Sequence, residues 1–508
     1  MTNRICRAAA VVAALAVGAC GDSTDEGPDP VAIELVDGDG QDGSAGAALA
    51  APLRVLVTDE LGDPVAGVEV SWSVTAGGGS ITPESATDAS GIAQATFTLG
   101  PANGEHRAAA AVAGLTGSPV EFTAVAGGIV PPPPSDITLA SVTPAPAGAV
   151  FIHDMFVRDG LAFVFAWNAG VIIYDVGNGV RGGSPTVPQQ VGVRIPSTAG
   201  LPCACVHNGW WFHNPNTGEK KYLFLGQEGP GSIGTSSTGD IHVLDVTDLT
   251  NPVEVASYHH PNLPDATGTS RTVGVHNFWM DEANEILYAA FYNGGVVAFD
   301  VSGTLTGELA NRVIASIRPG GAGGTYTWGV QVANGSLYAI DMLTGLYQLK
   351  LEGGALEVVG GGNNVLDRFS SDLWVHGSHA YTGTWGQRAG GPGNALKVWA
   401  LDAGGAPSLV RTVTLSGIAT VSDVEVSADG SWLALTAEYG LNAGLHLYSL
   451  ADPGNPIPLD RYLVASANGG LHTGTIAEIA GRTYVFAARD PAPGGPALVV
   501  MDVTEVIP

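Results

Sequence analysis

Along residues 31–126, apolar and polar side chains alternate in short runs. Leu53, Val55 and Val57 fall on one face of an extended chain, as do Val68, Val70, Trp72 and Val74. Ala93, Ala95, Phe97 and Leu99 repeat the pattern, and Val120, Phe122 and Ala124 close it. Turn clusters such as "ELGDPVAG", "AGGGS" and "DASG" separate the runs. Strands about ten residues apart over about a hundred residues predict an antiparallel β-sandwich. No long stretch of the chain combines a helical apolar period with caps.

The second part of the chain is also strand-like, and it repeats itself. "VIIYDVGNG" at 171–179 returns as "IHVLDVTDLTNPVEV" at 241–255 and as "VVAFDVSG" at 296–303. Looser copies are "LKVWALDAGGAPSLV", "LHLYSLADPGNPIPL" and "LVVMDVTEV". Apolar runs precede them: "LAFVFAW", "KYLFLGQ", "ILYAAFY", "SLYAIDM", "HAYTGTW", "WLALTAE" and "TYVFAAR". Seven units of about fifty residues, each long enough for a four-stranded blade, predict a seven-bladed β-propeller, with six or eight blades as the alternative counts. The last unit ends after its third strand, so "DITLASVTP" at 136–144 is expected to supply the missing outer strand and close the ring. Between the two parts, "GGIVPPPPSD" reads as a semi-rigid linker.

Both parts carry a family resemblance. "PLRVLVTDELGDPVAGVEVSWSVTAGGGSITPESATDASGIAQATFTL" resembles the bacterial Ig-like group 1 domain of invasin- and intimin-type surface proteins, which implies a spacer. The repeated units resemble the LVIVD repeat of bacterial surface and secreted propellers, over about residues 135–508.

The N-terminus changes the location expected. Arg4 and Arg7 precede an apolar run, Ala8 to Ala16, that is too short to span a bilayer. "VGAC" then resembles a bacterial lipobox, which implies cleavage before Cys20 and lipidation of Cys20. Gly21 after the cysteine implies sorting to the outer membrane. The domains expected are a lipoprotein signal peptide at 1–20, a flexible tether at 21–30, an Ig-like domain at 31–126, a Pro-rich linker at 127–135 and a propeller at 136–508.

Composition narrows the partners. The 508 residues include 72 Gly and 32 Pro, and only 13% are charged, which suits turns and strands. The formal net charge of −28 repels nucleic acid and anionic membrane, leaving the lipid as the only membrane contact. An unknown protein or saccharide is the partner class expected. "DGDGQDG" at 37–43 fails the EF-hand pattern: position five is Gln41, position six Asp42 and position twelve Ala48. It reads as a solvated turn.

Candidate chemistry gathers at the starts of the seven units: His153, His207, His276, Trp328, Asp372, Asp423 and His472. In a propeller the first strands line the channel, so these residues should converge on one mouth. The second-strand ends aim at the same mouth: Trp167, Glu228, Tyr292, Asp341, Trp385, Glu438 and Asp490. Two readings stay open. Four imidazoles with carboxylates such as Glu228 and Glu438 suit a transition metal or another ligand. Alternatively, the histidines tie loops to neighbouring strands.

"LPCACVHNGWWF" places Cys203, Cys205 and His207 on one face if the chain is extended. Disulfide, unpaired thiols and metal ligation are all open: residues two apart are poorly placed for a disulfide within one strand, and no second cysteine pair completes a zinc site. Trp210, Trp211, Trp279 and Trp399 are expected to fill wedges between blades rather than to form a sugar platform. No nucleophile elbow, phosphate loop or His-Glu-x-x-His occurs. These observations favour an anchored binding module; the alternative is a metal-dependent, oxidative enzyme with its site at the mouth.

Overall fold

The computed structural model describes residues 29–508 apart from 44–45, 50, 102–103, 127–135, 147–148, 150–151, 199–202, 230, 363–367, 387–390, 465–468 and 490–495. Cys20, the signal segment, most of the tether, the Pro-rich linker and Asp490 lie outside the described residues. The chain divides into two compact units near residue 130.

The first unit is a β-sandwich. One sheet holds Ala32–Asp37, Leu53–Thr58 and Ile92–Ala95. The other holds Gln41–Gly43, Val120–Ala126, Gly104–Ala111, Glu69–Ala76 and Glu84–Ala86. The alternating residues meet between them: Leu53, Val55, Val57, Val70, Trp72, Phe97 and Phe122 are buried in one core. Within "DGDGQDG" only residues 38–40 turn; Asp37 ends one strand and Gln41–Gly43 forms another, paired parallel with Val120–Ala126, and Asp39 accepts from the backbone and hydroxyl of Thr123.

The second unit is a β-propeller. Its described strands form seven four-stranded antiparallel meanders, at 154–194, 206–258, 278–317, 327–361, 369–414, 420–463 and 474–502. The seventh takes its outer strand from the start of the unit: Thr138–Pro144 pairs antiparallel with Pro496–Asp502. The innermost strands form a closed circuit. Asp154–Arg158 packs on Val206–Phe212, that on Phe278–Asp281, and so on to Gly474–Ile479, which returns to Asp154–Arg158. Buried apolar clusters fill the wedges between blades, for example Phe163, Trp211 and Leu223 between the first two.

The repeated Asp-Val step has a structural reason. Each aspartate ends a third strand and accepts hydrogen bonds from the turn that follows: Asp245 from Thr247 N, Asp300 from Ser302 N, Asp502 from Thr504 N. Asp175 is the extreme case. Its two carboxylate oxygens accept five backbone N–H groups, from Gly177, Asn178, Gly179, Arg181 and Gly183. Gly183 is required there, because a Cβ would lie 1.9 Å from the Asp175 carbonyl oxygen.

Candidate functional site

The starts of the first strands are irregular, and this sets which side chains reach the channel axis. In the second and fourth blades the register shifts across His207 and Trp328. In the fifth and sixth it shifts across Ser371–Asp372 and Ser422. Such bulges re-aim a side chain at the end of a ladder. In the other three blades the histidine lies just ahead of the strand and its N–H binds the end of the neighbouring strand: His153 to Phe165 O, His276 to Ala290 O and His472 to Ala488 O.

Six rings close a circuit at this mouth. Centroids of His153 and His207 are 4.0 Å apart, and those of His207 and His276 4.1 Å. His276 and Trp328 follow at 4.2 Å, then Trp328 and Trp385 at 4.9 Å. Trp385 and His472 are 5.9 Å apart, and His472 returns to His153 at 4.2 Å. Trp385 comes from the second strand of the fifth blade; at the bulged starts of the fifth and sixth blades, Ser371 and Ser422 stand where the second has His207 and the fourth Trp328. All six rings are buried. Trp167 stacks on His153, and Tyr292 packs against His276.

Carboxylates reach this ring from behind. Glu228 Oε2 lies 3.7 Å from His153 Nε2 and 3.6 Å from His207 Nε2, while its Oε1 accepts from the Tyr292 hydroxyl. These separations exceed hydrogen-bond reach. His153, His207 and Glu228 each offer one donor atom within 4.8 Å of the others. Glu438 pairs with His472 Nδ1, both fully inside the protein. His276 Nδ1 lies 2.6 Å from Trp328 O, a contact in which the ring donates, leaving Nε2 with its lone pair and, among the described residues, no hydrogen-bond partner. Neither nitrogen of His207 has one among the described residues.

Burial governs protonation here. It holds His207 well below the usual imidazole range, with His276 and His472 adding to the effect. It pushes His276 down to about 3, against the opposing bond to Trp328 O. Both rings are therefore neutral at pH 7, the form that binds metals.

Asp372 and Asp423 do not join the ring. They sit one residue further along their strands, level with Asn208, Asn277 and Gly329, because the bulges delay their phase. This tier is a polar chain: Asn208 donates to Asn277, Asn277 donates to Asp372, and the carboxyl groups of Asp372 and Asp423 interact with each other. Gly329 lies beside this pair: a Cβ there would stand in ordinary contact with Asp372 Oδ1, at 3.7 Å, and Asn277 Nδ2, at 3.9 Å. Burial, then Asp423, raises Asp372 well above the usual carboxylate range, and burial raises Asp423. Asp154 belongs here too, pushed up to about 7 by burial and by Asp423. The motifs "HD" and "HN" carried the signal for this tier, one residue after each candidate.

Cys203 and Cys205 are joined as a disulfide. Cys205 takes a left-handed backbone conformation, φ 46°, so the Cys-x-Cys-x-His run is bent and its three side chains do not share a strand face. The bend places Cys205 O to accept from Glu228 N at 2.9 Å.

Three residues along the same first strands, the channel turns aromatic. Phe156 and Trp210 centroids are 5.1 Å apart, Trp210 and Trp279 5.2 Å, Trp279 and Trp374 5.9 Å. Trp211 and Trp399 are core, as expected, but Trp210 and Trp279 are half-buried and line a cleft of about 540 Å³. Arg158 grips Glu282 at its edge through two nitrogens, and Trp210 Nε1 donates to the same carboxylate.

Residues 39–125 match the family of bacterial Ig-like domains (group 1). No curated protein matches the chain. Among solved structures, the chain is similar to the WD40 β-propeller domain of Doa1, at 9% identity and TM-score 0.47, over 72% of this chain and 97% of that one. It is similar to the periplasmic gluconolactonase PpgL of Pseudomonas aeruginosa, at 14% identity and TM-score 0.45, over 69% and 98%. The computationally designed Ika8 protein aligns at 9% identity and TM-score 0.43, over 71% and 100%.

Proposed function

We propose that the chain is an envelope-anchored binding module. Lipid on Cys20 holds it to the outer membrane, the Ig-like unit is a spacer, and the propeller recognises a saccharide at the aromatic end of its channel. The observation that carries this reading is the row of half-buried rings, Phe156, Trp210, Trp279 and Trp374, at a cleft edged by Arg158 and Glu282. Aromatic faces beside fixed polar groups suit the mixed apolar and hydroxyl surface of a sugar. An oligosaccharide array probed with the full chain tests it. Trp210→Ala and Trp279→Ala should each abolish the glycan signal while far-ultraviolet circular dichroism and cooperative thermal unfolding stay those of a folded protein. Wild-type protein that retains no glycan, or variants that bind like wild type, would sink the saccharide reading.

Anchoring is tested separately. Cys20→Ser should move the protein from detergent-extracted membranes to the soluble fraction; a variant held as firmly as wild type contradicts it. The imidazole-rich mouth favours a second reading, a metal-dependent oxidative enzyme.

A further inference from the structure

We propose that His153, His207 and Glu228 form a binding site for a divalent first-row transition-metal ion at the propeller mouth. The inference is independent of the anchor and of the aromatic cleft, so each can fail alone.

Geometry is the first support. Tetrahedral donors about 2.1 Å from an ion lie roughly 3.4 Å from one another. Glu228 Oε2 stands 3.7 Å from His153 Nε2 and 3.6 Å from His207 Nε2, too far to hydrogen-bond and within a few tenths of an ångström of that spacing. The three side chains come from two adjoining blades: His153 just ahead of Asp154–Arg158, His207 in Val206–Phe212, and Glu228 just after Tyr222–Gln227.

The second support is what burial leaves undone. His207 is 3% exposed, and neither ring nitrogen has a hydrogen-bond partner among the described residues. A buried polar atom without a partner costs about 1–3 kcal/mol, so an imidazole left twice unsatisfied calls for a reason. His276 Nε2, 1% exposed and likewise without a partner, sits on the next ring of the circuit. A metal ion uses such lone pairs directly.

The surroundings are those of a metal site. The Tyr292 hydroxyl occupies Glu228 Oε1 and so turns Oε2 towards the imidazoles. Two histidines and one carboxylate leave coordination positions open, as in sites that bind a further small ligand. Imidazole donors select Zn, Fe, Ni or Cu over Ca and Mg. A chain carrying −28 draws cations towards it.

The test uses full-length protein stripped with chelator and titrated with Co²⁺, read by visible d–d absorbance, with Zn²⁺ as competitor. One tightly held ion per chain is expected, displaced by zinc. His207→Ala and Glu228→Gln should each weaken binding by at least about 100-fold. His259→Ala, at an exposed histidine, should leave binding unchanged. Glu228→Gln keeps size and shape, so it decides the matter if His207→Ala fails to fold. Absence of cobalt uptake by wild type overturns the proposal. So does uptake that survives Glu228→Gln and His207→Ala, the signature of an adventitious ion, or uptake lost with His259→Ala.

Discussion

Replacing Asp175 by Asn should destabilise the propeller by about 2 kcal/mol at neutral pH. Asparagine keeps one oxygen, enough for Gly177, Asn178 and Gly179, and turns an NH₂ group towards the other two donors. Arg181 N at 2.6 Å and Gly183 N at 3.1 Å then lose their acceptor. Two backbone donors left unpaired cost about 1–3 kcal/mol each where water cannot reach them. The carboxylate's own acidity gives a second estimate. The backbone bonds pull it down to about 2 against the opposing effect of burial, from the ordinary 3.8. A depression of about two units corresponds to roughly 2–3 kcal/mol. The carboxylate touches no water but lies just under the surface of its loop, so solvent screening reduces that to about 1–2 kcal/mol. The sign is that of a carboxylate with a lowered folded pKa: the stability is present above about pH 4 and lost as pH falls towards 2. Denaturant unfolding followed by tryptophan fluorescence is the assay, since nine of the ten tryptophans lie beyond residue 136. The gap between wild type and Asp175→Asn should be full at pH 7 and narrow below about pH 4. Equal stabilities at pH 7, or a gap that persists undiminished at pH 3, would refute the reasoning.

Glu438→Ala should cost about 3–5 kcal/mol, because it strips the buried His472 of its carboxylate; a melting temperature within a degree of wild type contradicts this. A chain begun at residue 151 should melt below one begun at 131, since it lacks the strand that covers Pro496–Asp502 and buries Ile137 in the last blade; equal melting points would show that the closing strand adds nothing. Peptide mapping without reductant should recover Cys203 and Cys205 linked in one peptide, whereas alkylation of both thiols in native protein would contradict the bridge.

Much of the fold was legible because strand period and turn residues are local. The alternation at Leu53, Val55 and Val57, and the recurrence of Asp-Val after apolar runs, each follow from one strand's own geometry. The strand Gly104–Ala111 went unread, since an alanine-rich run shows little contrast between its faces. The truncated last unit pointed to the closing strand, which pairs as the missing edge required. At the mouth, histidines at successive blade starts could be read as a set, but their phase could not. Bulges across His207, Trp328 and Ser422 decide which of two neighbours faces the axis, and they put Asp372 and Asp423 a tier deeper. Trp385's place in the ring goes with small side chains at the starts of its own blade and the next, Ser371 and Ser422, a relation visible only in three dimensions.

The most direct measurement of the metal centre is anomalous diffraction from zinc-soaked crystals of the full chain, recorded on both sides of the zinc edge. A single strong peak is expected about 2 Å from His153 Nε2, His207 Nε2 and Glu228 Oε2. No peak among those three atoms, or a peak held only by surface carboxylates, would contradict the account.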